Sequence, residues 1–178
     1  MDIEFIQKII DSIELASKDN NTDLFCKYRD VFQARLDSFA QKTNKYLESA
    51  VIGEIGNNTF DHNLDFSEGK MRGAYFNPDF EGFVVLADYG QGVRKSLSKI
   101  RLFDSDIEAL KTAFTERVSG RAPEQRGNGL KFVTDSFLNK RWMLYFQSGA
   151  ACCKIENGEV CFKETNFLVD GCLAVMKF

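Results

Sequence analysis

The chain has 178 residues, of which 44% are hydrophobic and 28% are charged, and its formal net charge is −3. This composition is typical of an ordinary globular domain and excludes a disordered or collagen-like chain. No apolar run approaches the ~20 residues that a transmembrane helix needs, and the acidic start at residues 1–4 lacks the basic residues of a secretory signal. We therefore expect a single cytoplasmic domain, residues 1–178, that does not span a membrane.

Five cysteines are spread along the chain, at positions 26, 152, 153, 161 and 172, and none of them forms a C-x2-C pair. The only histidine, His62, is far from all of them in the sequence. Zinc sites are built from closely spaced Cys and His residues, so a zinc site is not expected here. We expect the cysteines to be reduced thiols that are buried as small apolar side chains.

Apolar residues recur at helical spacing in three segments of the first third of the chain. These segments are residues 2–17, 23–40 and 43–62, and a polar turn at 19–22 separates the first two. The pattern predicts three amphipathic helices, of which the third carries the most informative polar residues. We expect residues 1–42 to be a helical extension in front of a core formed by residues 43–178.

After residue 70 the hydrophobic period changes from that of a helix to that of a strand. Strands are predicted at 71–76 and 82–88, and four more at 141–147, 150–155, 160–163 and 172–178. Between them, a charged connection over 93–126 contains a helix at about 105–118, and another helix runs from 127 to about 138. This order predicts an α+β fold, a two-layer sandwich whose mixed, mostly antiparallel sheet has helices on one face.

The charge of the chain is unevenly distributed. Residues 94–141 contain eleven Lys and Arg against six Asp and Glu, whereas the remainder is acidic. A basic segment in an acidic protein indicates a local anionic partner, and does not favour nucleic acid bound over the whole surface. A solvated charged helix would give the same counts, so both interpretations stay open.

The third predicted helix places three polar side chains in one column. Glu54, Asn58 and His62 are each four residues apart, and residues at this spacing are neighbours on a helix. An amide oxygen can ligate a hard cation such as Mg²⁺, and a carboxylate one turn away can accept a proton from a nucleophile. Because only three positions define this pattern, a capped helix end without chemistry is equally compatible with it.

Two glycine motifs follow in the sequence. Asp88 ends the predicted central strand and begins D-x-G-x-G, whose glycines Gly90 and Gly92 allow the backbone to approach a ligand. Further along, Gly127-Asn128-Gly129-Leu130 opens a predicted helix, where exposed backbone N–H groups and the helix dipole favour an anion. Each motif is weak alone, but the three occur in a fixed order on elements of the expected kind.

Together the motifs resemble the N, G1 and G2 boxes of the GHKL superfamily, which groups gyrase, heat-shock chaperone, histidine-kinase and mismatch-repair ATPases. The resemblance covers about residues 43–178 and implies a two-layer α/β sandwich with ATP on the helical side of the sheet. The family often carries Gly-Thr before its last strand, whereas this chain has Gly171-Cys172. We therefore expect Cys172 to be a core residue.

The resemblance also implies roles for individual residues in binding ATP and Mg²⁺. By analogy, Asp88 binds the adenine amino group, and Gly90 and Gly92 make room for the base. Asn58 ligates the Mg²⁺ ion that neutralises the phosphates. For His62 two roles stay open, a structural one at the helix end and a contact with phosphate.

On the phosphate side, the resemblance implies a lid formed by residues 93–126, which includes most of the basic segment. Arg121 and Arg126 of this lid are expected to reach the phosphates, because Arg pairs well with phosphate oxygens. The helix start would cradle the same phosphates, and its predicted contacts are Gly127, Asn128, Gly129 and Leu130.

The residues of the N box indicate which branch of the family the chain resembles most. His62 is the only histidine and lies inside the box, so the chain is not a complete histidine autokinase. Glu54 occupies the place of a general base, which a water or a serine hydroxyl needs at neutral pH. The chain is therefore most similar to the anti-sigma-factor serine kinases, and we expect a serine kinase or ATPase that acts on a regulatory, serine-bearing protein partner.

An alternative is a nucleotide-gated interaction module, in which ATP orders the lid and changes a binding surface with little turnover. In that case Glu54 only stabilises its helix. Substitution of Glu54 by alanine separates the two hypotheses, because it abolishes turnover only if Glu54 is the base. The chain could also form a homodimer, and the sequence leaves this alternative open. A nucleic-acid partner is not expected.

Overall fold

The computed structural model describes residues 1–62, 70–116 and 129–178. Its helices are, in chain order, α1 (Ile3–Lys18), α2 (Arg29–Thr43), α3 (Tyr46–His62), α4 (Gly92–Leu97), α5 (Asp106–Thr115) and α6 (Gly129–Lys140). Its strands are β1 (Phe25–Cys26), β2 (Ala74–Phe80), β3 (Phe83–Asp88), β4 (Met143–Glu156) and β5 (Glu159–Lys177). None of the helices in these ranges is both long and apolar enough to cross a membrane.

The five strands form one sheet in the order β1-β2-β3-β5-β4, and all neighbouring pairs are antiparallel. Strand β3 is in the middle and is buried from Val84 to Asp88. The predicted α+β fold with a mostly antiparallel sheet is therefore confirmed. No parallel pair occurs within the described ranges.

The sheet begins earlier in the chain than predicted. The helix predicted over 23–40 is wrong at its beginning, where Phe25 and Cys26 form the edge strand β1. Phe25 is opposite Tyr75 of β2, and the two rings contact edge to face with centroids 5.4 Å apart. Residues 1–42 therefore contribute a strand to the core and are more than a helical extension.

The four short strands predicted in the last third are two long ones. Strands β4 and β5 form one hairpin that closes at Asn157 and Gly158, both with positive φ, as the tightest hairpin turns require. The register shifts on either side of Gly149, whose φ is +60°. This bulge interrupts the alternation of apolar residues without ending the strand, and for that reason the sequence pattern indicated a break.

The prediction that helices cover one face of the sheet is wrong, because both faces are covered. Side chains of Val84 and Leu86 on β3 pack with α2, α3, α5 and α6, whereas those of Val85 and Ala87 pack with α1. A strand that is apolar at every position must be covered on both faces. The second face is covered by the α1 side chains Ile6, Ile9, Ile13 and Ala16.

Part of the predicted lid is core. Helix α5 occupies residues 106–115 of the 93–126 segment, and its Leu110 and Phe114 are buried. The Phe114 ring packs edge to face against Phe146 of β4, with centroids 5.2 Å apart. These residues therefore hold the α5 segment against the sheet, and the lid prediction does not fit them; residues 117–126 lie outside the described ranges.

Candidate functional site

The buried carboxylate of Asp88 is the centre of the candidate site. It stands at the end of β3, where the side chain is 6% exposed. Thr59 Oγ1 of α3 donates a hydrogen bond to Oδ2 at 3.1 Å, and the backbone N–H of Gly90 donates to Oδ1 at 2.8 Å. The backbone N–H of Cys172 on β5 is a further donor to this carboxylate. Three segments of the chain therefore fix its orientation.

Burial raises the pKa of Asp88 to about 6, and the hydrogen bonds from Gly90, Thr59 and Cys172 oppose part of that rise. At neutral pH the group is therefore mostly ionised although it is surrounded by protein. A buried carboxylate of this kind can accept a hydrogen bond from an amino group of a ligand, and it does so best in its charged form.

Two glycines let the segments around Asp88 come together. Gly171 has a φ of +73°, and a Cβ added there would clash with the backbone and carboxylate oxygens of Asp88. Gly92 has a φ of +72°, and its Cβ would lie 2.9 Å from Ser148 Oγ. Ser148 therefore packs where a side chain at Gly92 would lie.

Ser148 joins the glycine loop to the sheet. Its hydroxyl accepts a hydrogen bond from the backbone N–H of Val93 at 2.9 Å and donates one to the carbonyl of Gly171 at 2.9 Å. The side chain is buried within β4, next to the bulge at Gly149. It therefore ties the start of α4 to Gly171 of β5, which is next to Cys172, a donor to Asp88.

Helix α3 carries Glu54 and Asn58 and contacts the end of β3 through Thr59. Val51, Ile52 and Ile55 anchor the helix in the core, whereas Glu54 is exposed and Asn58 is partly buried. Since Thr59 directly follows Asn58, the bond from Thr59 to Asp88 places this part of α3 next to β3.

Glu54 lies against the start of α6. A Cβ added at Gly129, the first residue of that helix, would clash with Glu54 Oε2, so the two are in direct contact. A helix start favours a negative charge through its free N–H groups and its dipole. This contact brings a carboxylate of the first motif to a glycine of the third, and Leu130 packs against the core beside it.

The structure therefore joins four predicted site residues in two contacts. One contact joins the backbone N–H of Gly90 to Asp88, and the other joins Glu54 to Gly129. The side chain of His62, which ends α3, is not described, and four predicted residues lie outside the described ranges: Arg121, Arg126, Gly127 and Asn128.

Two residues of the site were not predicted from the sequence. The sequence pattern could have indicated Thr59, because it is a polar residue in the otherwise apolar helix column of Leu47, Val51 and Ile55. No pattern indicated Ser148, because its partners Val93 and Gly171 are distant in sequence and meet it only in the folded chain.

Cys172 is partly buried and packs against the core between the sheet and helices α2, α3, α5 and α6, in line with its predicted core role. Burial and the nearby Asp88 raise the pKa of its thiol well above the usual value. Cys152 and Cys153 are buried free thiols, as predicted, but Cys161 is exposed on β5. No group of three or more His, Cys, Asp and Glu that could hold a metal occurs among the described residues.

Comparison of the sequence with models of protein families gave no match, and comparison with curated proteins gave none. The function is therefore inferred from the chemistry of the chain's own residues. That chemistry comes from two carboxylates. Asp88 is a buried hydrogen-bond acceptor in a fixed orientation, and Glu54 is exposed on α3 and contacts the first residue of α6.

Proposed function

We propose that this chain is an ATP- and Mg²⁺-binding regulatory protein of the GHKL type, which acts as a serine kinase or ATPase on a protein partner. The observation that carries the proposal is the arrangement around Asp88. Its carboxylate is buried, oriented by Thr59 and Gly90, and set at the junction of the central strand and a glycine loop. A buried carboxylate held in one orientation can accept a hydrogen bond from an adenine amino group, and this supports the proposal.

Asp88 would accept the hydrogen bond from the adenine amino group. The donors Thr59 and Gly90 hold the carboxylate in one orientation, so little conformational freedom is lost when the base binds. Burial strengthens the interaction, because a hydrogen bond to a charged group is stronger where water is excluded. The adenine specificity of the site would thus come from one carboxylate and its backbone support.

Asn58 and the start of α6 would hold the phosphate end of the nucleotide. The amide oxygen of Asn58 is a single hard ligand, which suits Mg²⁺ because this ion takes most of its other ligands from phosphates and water. The N–H groups at Gly129 can face phosphate oxygens. Roles for His62, Arg121, Arg126, Gly127, Asn128 and Leu130 come from the resemblance alone.

Glu54 would act as the general base. Its carboxylate is exposed, one turn before Asn58 on α3, and touches the first residue of α6. A proton acceptor beside the phosphate end of the site can take the proton of an attacking hydroxyl group. The chemistry is therefore transfer of phosphate to a serine hydroxyl or to water.

The second candidate function, a nucleotide-gated interaction module, is favoured by the same contact with Gly129. At a helix start a carboxylate stabilises the helix by about 0.3–1 kcal/mol without any proton transfer. Substitution of Glu54 by glutamine keeps the shape of the side chain and removes the base. Loss of turnover with unchanged ATP affinity would favour the kinase or ATPase, and unchanged turnover would favour the module.

The proposal is tested by calorimetric titration of ATP, with and without Mg²⁺, into the wild type and Asp88→Asn. We expect binding that requires Mg²⁺ and weakens at least about tenfold in Asp88→Asn, since a hydrogen bond to a charged group contributes about 1.5–3 kcal/mol. Asp170→Asn is the matched control, because it removes an exposed carboxylate next to Gly171. Equal affinity in the wild type and Asp88→Asn would contradict the proposed role of Asp88.

A further inference from the structure

A groove between α2 and α3 leads to Glu54. Its cavity volume is about 420 Å³, and it is open to solvent along one side. Residues of both helices line the groove, among them Asp37, Tyr46, Ala50, Gly53, Glu54 and Asn57. One end is at Tyr46, at the start of α3, and Glu54 lies two turns further along the same helix.

Small residues allow the two helices to lie close together below this groove. A Cβ added at Gly53 would be 3.1 Å from Leu36 Cδ2, and one added at Gly56 would clash with the ring of Phe32. Ser49 Oγ donates a hydrogen bond to the carbonyl of Leu36 at 3.4 Å and links the helices at its floor. The groove is therefore held in shape by packing and by one hydrogen bond between the helices.

The chemical groups along the groove attract cations and N–H donors. Asp37 and Glu54 contribute carboxylates, and no Lys or Arg is among the described lining residues. The buried amide oxygen of Asn57 has no hydrogen-bond partner within the described ranges. The ring of Tyr46 is 64% exposed at the open end, where an aromatic face can bind an ammonium or guanidinium group.

We propose that this groove binds the acceptor segment of the partner protein, and that this segment carries Lys or Arg beside its Ser or Thr. Tyr46 and Glu54 are separated by about 12 Å along the helix, which about four extended residues span. If a basic side chain of the segment bound near Asp37 or Tyr46, the hydroxyl group of its Ser or Thr would then lie next to Glu54. The transfer step rests on the proposed function.

In that step the proton of the hydroxyl group moves to the Glu54 carboxylate. The hydroxyl oxygen forms a bond to the γ-phosphorus of ATP, and the bond from that phosphorus to the bridging oxygen breaks with ADP as the leaving group. The charge of the groove thus selects the segment, and Glu54 activates it.

The test measures binding of two fluorescent peptides by anisotropy, with and without a non-hydrolysable ATP analogue. Both contain a central serine; one has Arg and Lys within about four positions of it, and the other has Glu at the same places. We expect the wild type to bind the basic peptide at least about tenfold more tightly. Equal binding of the two peptides, or binding of neither, would overturn the inference.

Asp37→Lys is the decisive variant, and Asp11→Lys is its matched control. Asp37 accepts a hydrogen bond from Gln33 Nε2 at 2.9 Å, and Asp11 accepts the same i,i+4 bond from Gln7 at 2.8 Å on α1. Both substitutions change the net charge equally, but only the first lies in the groove. Only Asp37→Lys should weaken binding of the basic peptide, by about tenfold, and equal effects of the two would overturn the inference.

Titration of ATP into the same samples separates this inference from the proposed function. If ATP binds and the basic peptide does not, the groove is not the acceptor site and the nucleotide proposal stands. If the basic peptide binds selectively and ATP does not, the groove is a docking surface and the kinase proposal fails. Ala50→Arg, an exposed position in the groove, is a second variant that should block the peptide without changing ATP affinity.

Discussion

At the scale of single residues, Asp88 is a carboxylate that is buried and hydrogen-bonded at the end of the central strand. A carboxylate buried at the end of a central strand is unfavourable for folding, because its charged form loses contact with water. The chain offsets part of this penalty with donors from Thr59 and Gly90. Natural proteins tolerate a destabilising buried charge chiefly where it has a function, and for that reason Asp88 is the residue on which the proposed function rests.

Replacement of Asp88 by asparagine should remove the loss of stability that ionisation of Asp88 causes as the pH rises. Burial raises the pKa of Asp88 from 3.8 to about 6 in the folded protein. The contribution of Asp88 to the stability of the folded protein is therefore greatest below pH 3.8, where Asp88 is protonated, and it is lost as the pH rises through 6. Because asparagine cannot ionise, we expect the free energy of unfolding of Asp88→Asn, relative to that of the wild type, to rise by up to about 3 kcal/mol between pH 4 and pH 8. The gain should shrink as the pH is lowered towards 4.

Urea unfolding of the two proteins over this pH range measures the effect. The exposed-site variant Asp170→Asn should show no comparable gain at any pH. A gain that is constant with pH would mean that the titration of Asp88 does not contribute to stability.

At the scale of elements, the packing of β5 against Asp88 depends on the absence of a side chain at Gly171. β5 passes so close to Asp88 that any Cβ at Gly171 meets Asp88 itself. Gly171 is also tied to the start of α4 through Ser148. Three elements thus meet at one glycine, which explains why a loop motif and a strand from the other end of the chain form one site.

Gly171→Ala should therefore be more harmful than an equivalent change elsewhere. Gly158 has a similar φ, +81°, but no atom is within 4 Å of its added Cβ, so Gly158→Ala measures the backbone strain alone. We expect Gly171→Ala to lower the free energy of unfolding by at least about 1 kcal/mol more than Gly158→Ala. Only Gly171→Ala should weaken ATP binding, and equal losses of stability in both variants would show that the contact with Asp88 does not matter.

At the scale of the whole molecule, the sheet has a hydrophobic core on each face. The N-terminal helix α1 closes the second face with Ile6, Ile9 and Ile13, below the strands that carry Asp88. Tyr89, next to Asp88, belongs to that second core and stacks with Phe25. We therefore expect α1 to unfold with the rest of the domain.

Ile9→Ala tests this cooperativity. Ile9 is fully buried, so its truncation should lower the free energy of unfolding by about 2–5 kcal/mol. Leu15, on the same helix but 59% exposed, is the control, and Leu15→Ala should change little. The only tryptophan, Trp142, packs in the other core, and its fluorescence and the circular dichroism should report one shared transition. Two separate transitions would mean that α1 folds independently.

The sequence by itself determined the fold class and the helices with a regular hydrophobic period, because these depend on local spacing. It predicted the end of α3 at residue 62 and the apolar strand that ends at Asp88 to within one residue, whereas α3 begins three residues later than predicted. It also identified Glu54, Asp88 and Gly129 as residues of interest. Motif spacing and turn residues are local properties of the chain, so they can be identified from the sequence without a structure.

Only the tertiary structure decided how distant segments meet. The pairing of β1 with β2, the second core under α1, and the bond from Thr59 to Asp88 all join residues that are far apart in the chain. Such contacts depend on which apolar faces find each other, and no local pattern specifies the partner. For the same reason the place of Ser148 and the groove beside Glu54 became visible only when helices and strands had packed.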